Sequence, residues 1–400
     1  MGHLVRSLAL AEVFGERFSV LLLNGGPLPK RMKTPDGVEI VNLPPIGFDG
    51  GGQLVSRDRR RTVKGAQKLR RQIILESYHT LRPQVVFVEL FPFGRRKFSA
   101  ELLPMLDEAR NSLPSRPLVC CSLRDILVGK KSQQQKHDDR AVEIANHFFD
   151  AVMVHSDPAF VRLEESLLSY NSLHVPIYYT GFVEPTRTRD SKPVKEPRRQ
   201  ILVSAGGGLV GETLFRTAIE AYALLKQSDE VSMKPVSMKV VTGPFLPEEA
   251  RQSLSTHRQP GLRLTKFVPD LCAEMRNSIA SMSQGGYNTT LDILRSGVPS
   301  LVVPFADGAE DEQLKRARLL EQRGAIRVLG QHEITPARLA AEMRELLTFC
   351  PQVQHLDLNG TLNTRRIVES LISAKHPRYP QISRSRCVLR PTFGEWGVRS

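Results

Sequence analysis

The sequence predicts an α/β protein built of two doubly wound, Rossmann-like parallel-sheet domains facing a cleft. Three observations carry this. Short runs rich in Val, Ile and Leu alternate with amphipathic stretches from end to end, the pattern of parallel strands covered by helices on both faces. A polar, Pro-containing stretch, T-R-T-R-D-S-K-P-V-K-E-P-R-R at 186–199, lacks apolar periodicity and reads as a linker. After it, Q-I-L-V-S-A restarts the strand–helix series. The expected boundaries are 1–185 for the first domain, 186–199 for the linker, 200–375 for the second domain and 376–400 for a basic extension. At 400 residues the chain is long for one domain and comfortable for two.

The first domain opens unusually. Met1-Gly2-His3 leads straight into L-V-R-S-L-A-L-A-E, already helical, so the strand that normally opens such a domain is absent here: either the true start lies upstream or an edge or central strand has been lost. An absent central strand leaves its neighbours with unpaired backbone groups. Strands are expected at Phe18–Asn24, Val38–Leu43, Val85–Glu89, Leu118–Ser122, Ala151–His155 and Pro176–Gly181. Helical patterns fall near 4–16, 60–82, 98–111, 135–149 and 158–169. The second domain offers strands at Ile201–Ala205, Met238–Thr242, Leu262–Phe267, Ile279–Ser283, Ser300–Pro304 and Ile326–Leu329. Its helical patterns lie near 210–227, 247–257, 269–277, 287–296, 310–323 and 335–348. The extension, with three Pro, five Arg and the only Trp, has no clear pattern.

Composition narrows the function. The chain carries 56 Lys+Arg against 42 Asp+Glu, net +14. The second domain is nearly neutral at +1, so the charge is local. Its densest run, R-D-R-R-R-T-V-K-G-A-Q-K-L-R-R at 57–71, is either a solvated helix face or an attractor of anionic lipid or phosphorylated substrate. No aromatic interleaving accompanies it, so nucleic acid is not an expected partner. Five cysteines without C-x-x-C spacing fit a reducing cytosol rather than a zinc or disulfide framework. No apolar run approaches membrane-span length, and no leader pattern precedes a cleavage site. The expected location is cytoplasmic, with peripheral contact at the inner face of an anionic membrane through 57–71 and the basic tail.

Three constellations lie at successive strand ends of the second domain. In V-S-A-G-G-G-L-V-G, Gly206, Gly207 and Gly208 stand between a strand and a helix, where backbone N–H groups can approach a phosphate. In S-Q-G-G-Y-N-T-T-L-D, Gln284, Gly285 and Gly286 open a helix that carries Asn288 and Thr289 in its first turn, with Asp292 one turn deeper. Amide and hydroxyl donors there can join the free helix-end N–H groups at a diphosphate, and Asp292 can accept from a ribose diol. Capping would equally explain Asn288 and Thr289. In V-V-P-F-A-D-G-A-E-D-E-Q, the loop after Phe305 delivers Glu312 and Gln313 to another helix start. A carboxylate beside an amide reads sugar hydroxyls, although acids at helix starts also favour the macrodipole without any ligand.

Residues 200–330 resemble the nucleotide-sugar half of GT-B-fold glycosyltransferases, most of all the family-28 type, whose familiar member adds N-acetylglucosamine to the lipid-linked peptidoglycan precursor. The resemblance rests on Ser283-Gln284-Gly285-Gly286, Thr289 and Asp292, then Gly297-Val298-Pro299, Val303-Pro304-Phe305 and Asp311-Glu312-Gln313, ungapped over about 30 residues. It implies that Gly285 to Thr289 hold the donor diphosphate, Asp292 the ribose, Phe305, Glu312 and Gln313 the sugar, and the backbone at Val268 the base. Gln284 stands where related transferases often have His, and Asp292 where Glu is commoner. The start, G-H-L-V-R-S, resembles the Gly-His loop of a little-studied family-28-like branch. It implies that His3 is the general base, a role its near-neutral ordinary pKa suits. The helix start beside it is expected to lower that pKa and keep the ring neutral. Without the resemblance, a capping or exposed terminal His explains it as well.

The first domain adds V-F-V-E-L-F-P-F-G-R-R-K-F and S-L-R-D, both after expected strands. Arg6, Glu89, Arg95, Arg124 and Asp125 are candidate contacts to an acceptor, and the basic ones suit a phosphorylated or lipid-linked one. No D-x-D motif occurs, so helix-end and amide donors rather than a metal are expected at the diphosphate. The expected function is an inverting, metal-independent transfer from a nucleotide sugar, UDP-linked by resemblance, to a carbohydrate or lipid-linked acceptor in polysaccharide or glycolipid biosynthesis. The nucleotide sugar is a co-substrate and no cofactor is expected. Two rivals remain: a nucleotide-sugar hydrolase or 2-epimerase on a similar scaffold, and a non-catalytic nucleotide-sugar-binding subunit.

Overall fold

The computed structural model describes residues 2–26, 34–49, 52–112, 116–127, 129, 133–184, 198–208, 210–227, 236–305 and 312–375. The basic extension, most of the linker and Asp311 lie outside them. The first domain runs α1 (Gly2–Gly15), β1 (Val20–Asn24), β2 (Val38–Asn42), β3 (Ile46–Phe48), β4 (Leu54–Ser56), α2 (Val63–Leu81), β5 (Val85–Glu89), α3 (Ser99–Asn111), β6 (Leu118–Arg124), α4 (Gln134–Phe148), β7 (Ala151–His155) and β8 (Ile177–Tyr179). The second runs β9 (Arg198–Ser204), α5 (Glu212–Gln227), β10 (Ser237–Val241), α6 (Glu248–Thr256), β11 (Leu262–Thr265), α7 (Leu271–Arg276), β12 (Ser278–Ser283), α8 (Tyr287–Ser296), β13 (Ser300–Val302), α9 (Glu312–Gln322), β14 (Arg327–Val328), α10 (Pro336–Leu346) and α11 (Gly360–Lys375).

All twelve expected strands form. The second domain holds one parallel sheet in the order β11-β10-β9-β12-β13-β14. Its central strands β9, from Gln200 on, and β12 are buried almost throughout because helices cover both faces. In the first domain the parallel strands form two sheets, β1-β2 and β5-β6-β7-β8. β1 and β5 share no ladder, yet both sit between the same packed layers. Val20 and Phe87 pack against the cluster around α1, while Leu23 and Val88 belong with the cluster on the opposite side. Residues Val20–Leu23 and Val85–Phe87 are only half-buried, whereas every residue of β7 is buried.

Four elements depart from the sequence reading. Strand β9 begins at Arg198, inside the stretch expected as linker. The β3–β4 hairpin was not expected, its strands being three residues each. No α-helix forms at 158–169. Side chains take its backbone donors instead: the Leu163 N–H donates to the Tyr179 hydroxyl at 2.8 Å and the Arg162 N–H to Glu165 Oε1 at 2.7 Å. Only single 3-10 turns remain, at Leu163–Glu165 and Tyr170–Ser172. Helix α11, also not expected, returns to the first domain, where Val368 joins Ala9, Leu10 and Phe14 of α1.

The domains share a core. One apolar cluster joins Ile126, Phe160 and Phe182 of the first domain to Leu202, Met275, Tyr287 and Leu291 of the second. Above it the carboxyl ends of the two sheets oppose each other. Among the described residues, no helix is long and apolar enough to cross a membrane.

Candidate active site

The site forms where three strand ends of the second domain meet two of the first. Its floor is β9 beside β12, with Ser204 and Ser283 in register at their carboxyl ends. Both hydroxyls are buried without a hydrogen-bond partner. An unpaired buried hydroxyl is costly unless something else bonds it. Neither serine was singled out from the sequence. Ser283 stood in the quoted motif, but nothing in a lone Ser at a strand end marks it.

The two glycine turns rise from these strands and meet. A Cβ placed on Gly206 would lie 3.8 Å from Thr289 Oγ1. The Gln284 amide reaches across to donate to the Val210 carbonyl at 2.9 Å. The turns nevertheless differ in what they offer. Gly208, with φ +88°, lies so close to the Thr242 carbonyl that a Cβ would come within 2.0 Å of it. Its N–H donates to the Ala205 carbonyl at 2.8 Å. Gly208 is therefore a packing glycine, a correction to its expected role at the diphosphate. Gly207 gives its carbonyl to the Phe245 N–H at 2.9 Å, and Gly206 is exposed. Helix α5 starts with Glu212, an acid in its first turn that pairs with Arg216 one turn along the helix.

The second turn is the better anion seat. Helix α8 has Gly286 as its N-cap and no side-chain capping bond, so its first N–H groups remain open. Asn288 Oδ1, an acceptor, is buried without a partner, so only the Nδ2 side of this amide can donate to a diphosphate. Thr289 and Asp292 are buried on the same helix. Gly285 packs against the start of α9, where a Cβ would lie 3.3 Å from the Gln313 carbonyl. The Phe305 N–H donates to Gln313 Oε1 at 3.2 Å, tying the end of β13 to that helix. Val268 is buried in the shared core, so only its backbone can meet a ligand, while neighbouring Phe267 is 55% exposed.

The first domain contributes the start of α1. His3 Nδ1 lies 3.0 Å from Glu89 Oε1 at the end of β5. A carboxylate only accepts, so Nδ1 carries the proton and Nε2 the lone pair. Burial, foremost, lowers the His3 pKa from 6.5 to about 4, with Arg95 and Arg6 pushing the same way and Glu89 opposing. The side chain keeps 31% exposure, so solvent still reaches the ring. Burial of Glu89 would raise its pKa, but the Arg6 guanidinium, then His3 and Ser122, hold it at about 2.

Several expected acceptor contacts are internal instead. Arg6 is 2% exposed, bonded to Glu89 and stacked 5.3 Å over the Tyr287 ring. Glu89 is the partner of His3. Asp125 is fully buried and binds Arg316 of α9 through both oxygens, at 2.6 and 2.8 Å. Arg316 also donates to the Gly285 carbonyl at 2.9 Å, so it braces the glycine turn. Arg124 donates to Glu312 Oε1 at 2.7 Å, joining an expected acceptor residue to an expected sugar residue. Arg95 alone of the set is exposed beside the site. Neither Tyr287 nor Arg316 was expected. The Tyr287 hydroxyl donates to the His155 carbonyl at 3.0 Å and accepts from the Val183 N–H at 3.1 Å. These pairs span more than 100 residues of chain and leave no local signal.

Comparison with known proteins places this geometry. Residues 201–362 match the Glycosyltransferase family 28 C-terminal domain. The UDP-N-acetylglucosamine–N-acetylmuramyl-(pentapeptide) pyrophosphoryl-undecaprenol N-acetylglucosamine transferase of Rhodospirillum rubrum is 28% identical over 144 residues, 35% of this chain and 36% of that protein. The chain thus spans well under half the length of this curated relative. The crystal structure of Acinetobacter baumannii MurG superposes with a TM-score of 0.54 at 18% identity, covering 92% of this chain and 96% of that one. A UDP-glucosyltransferase from Polygonum tinctorium gives 0.56 at 15% identity, covering 92% and 96%. The fold is GT-B. In sequence the likeness to family 28 covers residues 201–362, in the second domain.

Proposed function

We propose that the protein transfers a sugar from a nucleotide diphosphate sugar to an acceptor hydroxyl with inversion and without a metal. The observation that carries this is the meeting of two helix starts. The His3–Glu89 pair opens α1, the uncapped end opens α8, and Arg6 on one stacks against Tyr287 on the other. The donor, UDP-linked as in the relatives, binds the second domain. Its diphosphate sits on the α8 N–H groups with Asn288, Thr289 and Gln284. Asp292 takes the ribose, and Glu312 and Gln313 take the sugar. Nε2 of His3 removes the acceptor proton while the hydroxyl attacks the anomeric carbon opposite the diphosphate. Glu89 stabilises the imidazolium that forms. The helix end and amides meet the charge developing on the leaving diphosphate.

The acceptor is a carbohydrate or lipid-linked alcohol, with Arg95 beside it. Exposed Arg59, Arg60 and Arg61 support peripheral contact with an anionic membrane, although Arg70 of the same run is buried against Glu101. Thermal shift with UDP, GDP, dTDP and their sugars tests the donor, since binding to the folded state raises the melting temperature. One nucleotide should stand out, with the sugar form stabilising further. Incubation with donor alone is the counter-test: rapid release of free sugar, or an isomerised donor, overturns transfer in favour of hydrolysis or epimerisation.

A further inference from the structure

A row of buried polar side chains crosses the carboxyl ends of four adjacent strands behind His3, and the reaction above uses only its first member. Glu89 ends β5. Ser122, its register partner on β6, lies 2.8 Å away through Oγ and Oε2. His155 ends β7, with Nε2 3.0 Å from Ser122 Oγ. Thr180 follows β8, with Oγ1 2.8 Å from His155 Nδ1. Ser122 is 2% exposed, His155 and Thr180 not at all. A polar row of this depth is costly where apolar side chains would pack.

We propose that Ser122, oriented by His155 and Thr180, is a positioning residue that sets the basicity of the His3–Glu89 pair. This rests on the reading of His3 as the base. The direction of every hydrogen bond follows from counting protons. Ionised Glu89 can only accept, so the single Ser122 proton points to it. Ser122 must then accept from His155, which therefore carries its proton on Nε2. His155 Nδ1 is left to accept from the Thr180 hydroxyl. Burial, then Arg6, lowers the His155 pKa to about 3, so the ring is neutral and supplies one donor and one acceptor. The reversed row would turn Thr180 towards the Gly181 carbonyl, 2.9 Å away, and leave Ser122 lone pairs facing the carboxylate.

A donor to a carboxylate weakens its pull on other protons. With Ser122 in place, Glu89 holds the His3 Nδ1 proton less tightly, and the His3 pKa stays low. The other charged or titratable groups facing this row are Arg6 on α1, Arg95 after β5, Cys121 on β6 and Tyr287 on α8. Asp125 and Arg316 face one another through their buried pair and Tyr287 through its ring. None of them donates to Glu89 Oε2.

The test is a nitrogen-15 and proton NMR titration of the histidine rings in the full chain, for the wild type, Ser122→Ala and Thr180→Val. In the wild type His155 should be the neutral Nε2–H form and His3 the Nδ1–H form. Ser122→Ala should raise the His3 midpoint by about half a unit to one unit. Thr180→Val, which keeps volume, should raise it less and release the His155 tautomer. Ser122→Thr should restore the wild-type midpoint. A wild-type His155 protonated on Nδ1, or a His3 midpoint unmoved in both Ser122→Ala and Thr180→Val, overturns the proposal. Should Ser122→Ala not fold, the wild-type tautomer and Thr180→Val still decide. The titration needs no substrate, so failure of the transfer assay and failure of this proposal are read separately.

Discussion

Arg316→Met should be among the most damaging single changes outside the reacting groups. The guanidinium is 1% exposed and makes three bonds: two to Asp125, at 2.6 and 2.8 Å, and one to the Gly285 carbonyl at 2.9 Å. Methionine keeps most of the volume, so lost packing is small. The cost comes from stranding Asp125, which has no solvent access. Breaking a buried pair from one side costs about 3–5 kcal/mol. For domains of this size that is a fall in melting temperature of roughly 6–20 °C. Urea unfolding followed by far-UV circular dichroism measures it. Asp125→Leu with Arg316→Met removes both charges, and that double variant should recover most of the loss, because the pair itself contributes little beyond apolar side chains. A single variant costing under about 1 kcal/mol, or a double variant no better than the single, would refute the assignment of the pair as a desolvated strut between domains.

Three further outcomes are expected. Asn288→Ala should weaken nucleotide binding about 10- to 100-fold by calorimetry, the loss of one bond to a charged group. It should leave stability nearly unchanged, since Oδ1 has no partner in the free protein. Stability should fall as pH drops below 6.5. His155, with its pKa lowered to about 3, is neutral when folded but gains a proton on unfolding. Its share is intact above pH 6.5 and is lost towards pH 3, at up to about 1.4 kcal/mol per pH unit. His3 adds to the loss down to about pH 4, and Glu89, at about 2, only below its ordinary 4.5. Urea melts at pH 7, 6 and 5 test this, and a flat profile sinks it. Hydrogen exchange should be faster in β1 and β5, along the edges that share no ladder, than in β6 and β7; equal protection would mean the two sheets are joined in solution.

What could be read from the sequence was what the chain encodes locally. The apolar runs Val85–Glu89 and Ala151–His155 gave strands with matching bounds, and β7, buried throughout, needs little beyond its own sequence to be recognised. Gly286 and Asn288 were legible for the same reason: a glycine before a helix and an amide in its first turn sit next to each other in the chain. The stretch 158–169 misled because its apolar spacing is real. Phe160, Val161, Leu163 and Leu167 are all buried, but side-chain acceptors on Glu165 and Tyr179 take the N–H groups of Arg162 and Leu163. Gly208 misled because a glycine that admits a phosphate and a glycine that admits a neighbouring carbonyl look alike in one dimension.

The partners of Tyr287 and Arg316 were beyond reach because they come from the other domain. Arg6 lies in a helix that reads as apolar, and Tyr287 beside glycines that draw attention to phosphate. Only in three dimensions does Tyr287 lie between Arg6 and Arg316, 5.3 and 5.8 Å from their guanidinium carbons, with its hydroxyl bonded to the backbone of the first domain. One ring thereby fixes where α8 starts relative to where α1 starts. Holding reacting groups in register across a cleft is worth several powers of ten in rate. In the proposed transfer, side chains that touch no substrate therefore matter as much as those that do, through the distance they set between His3 and the open end of α8.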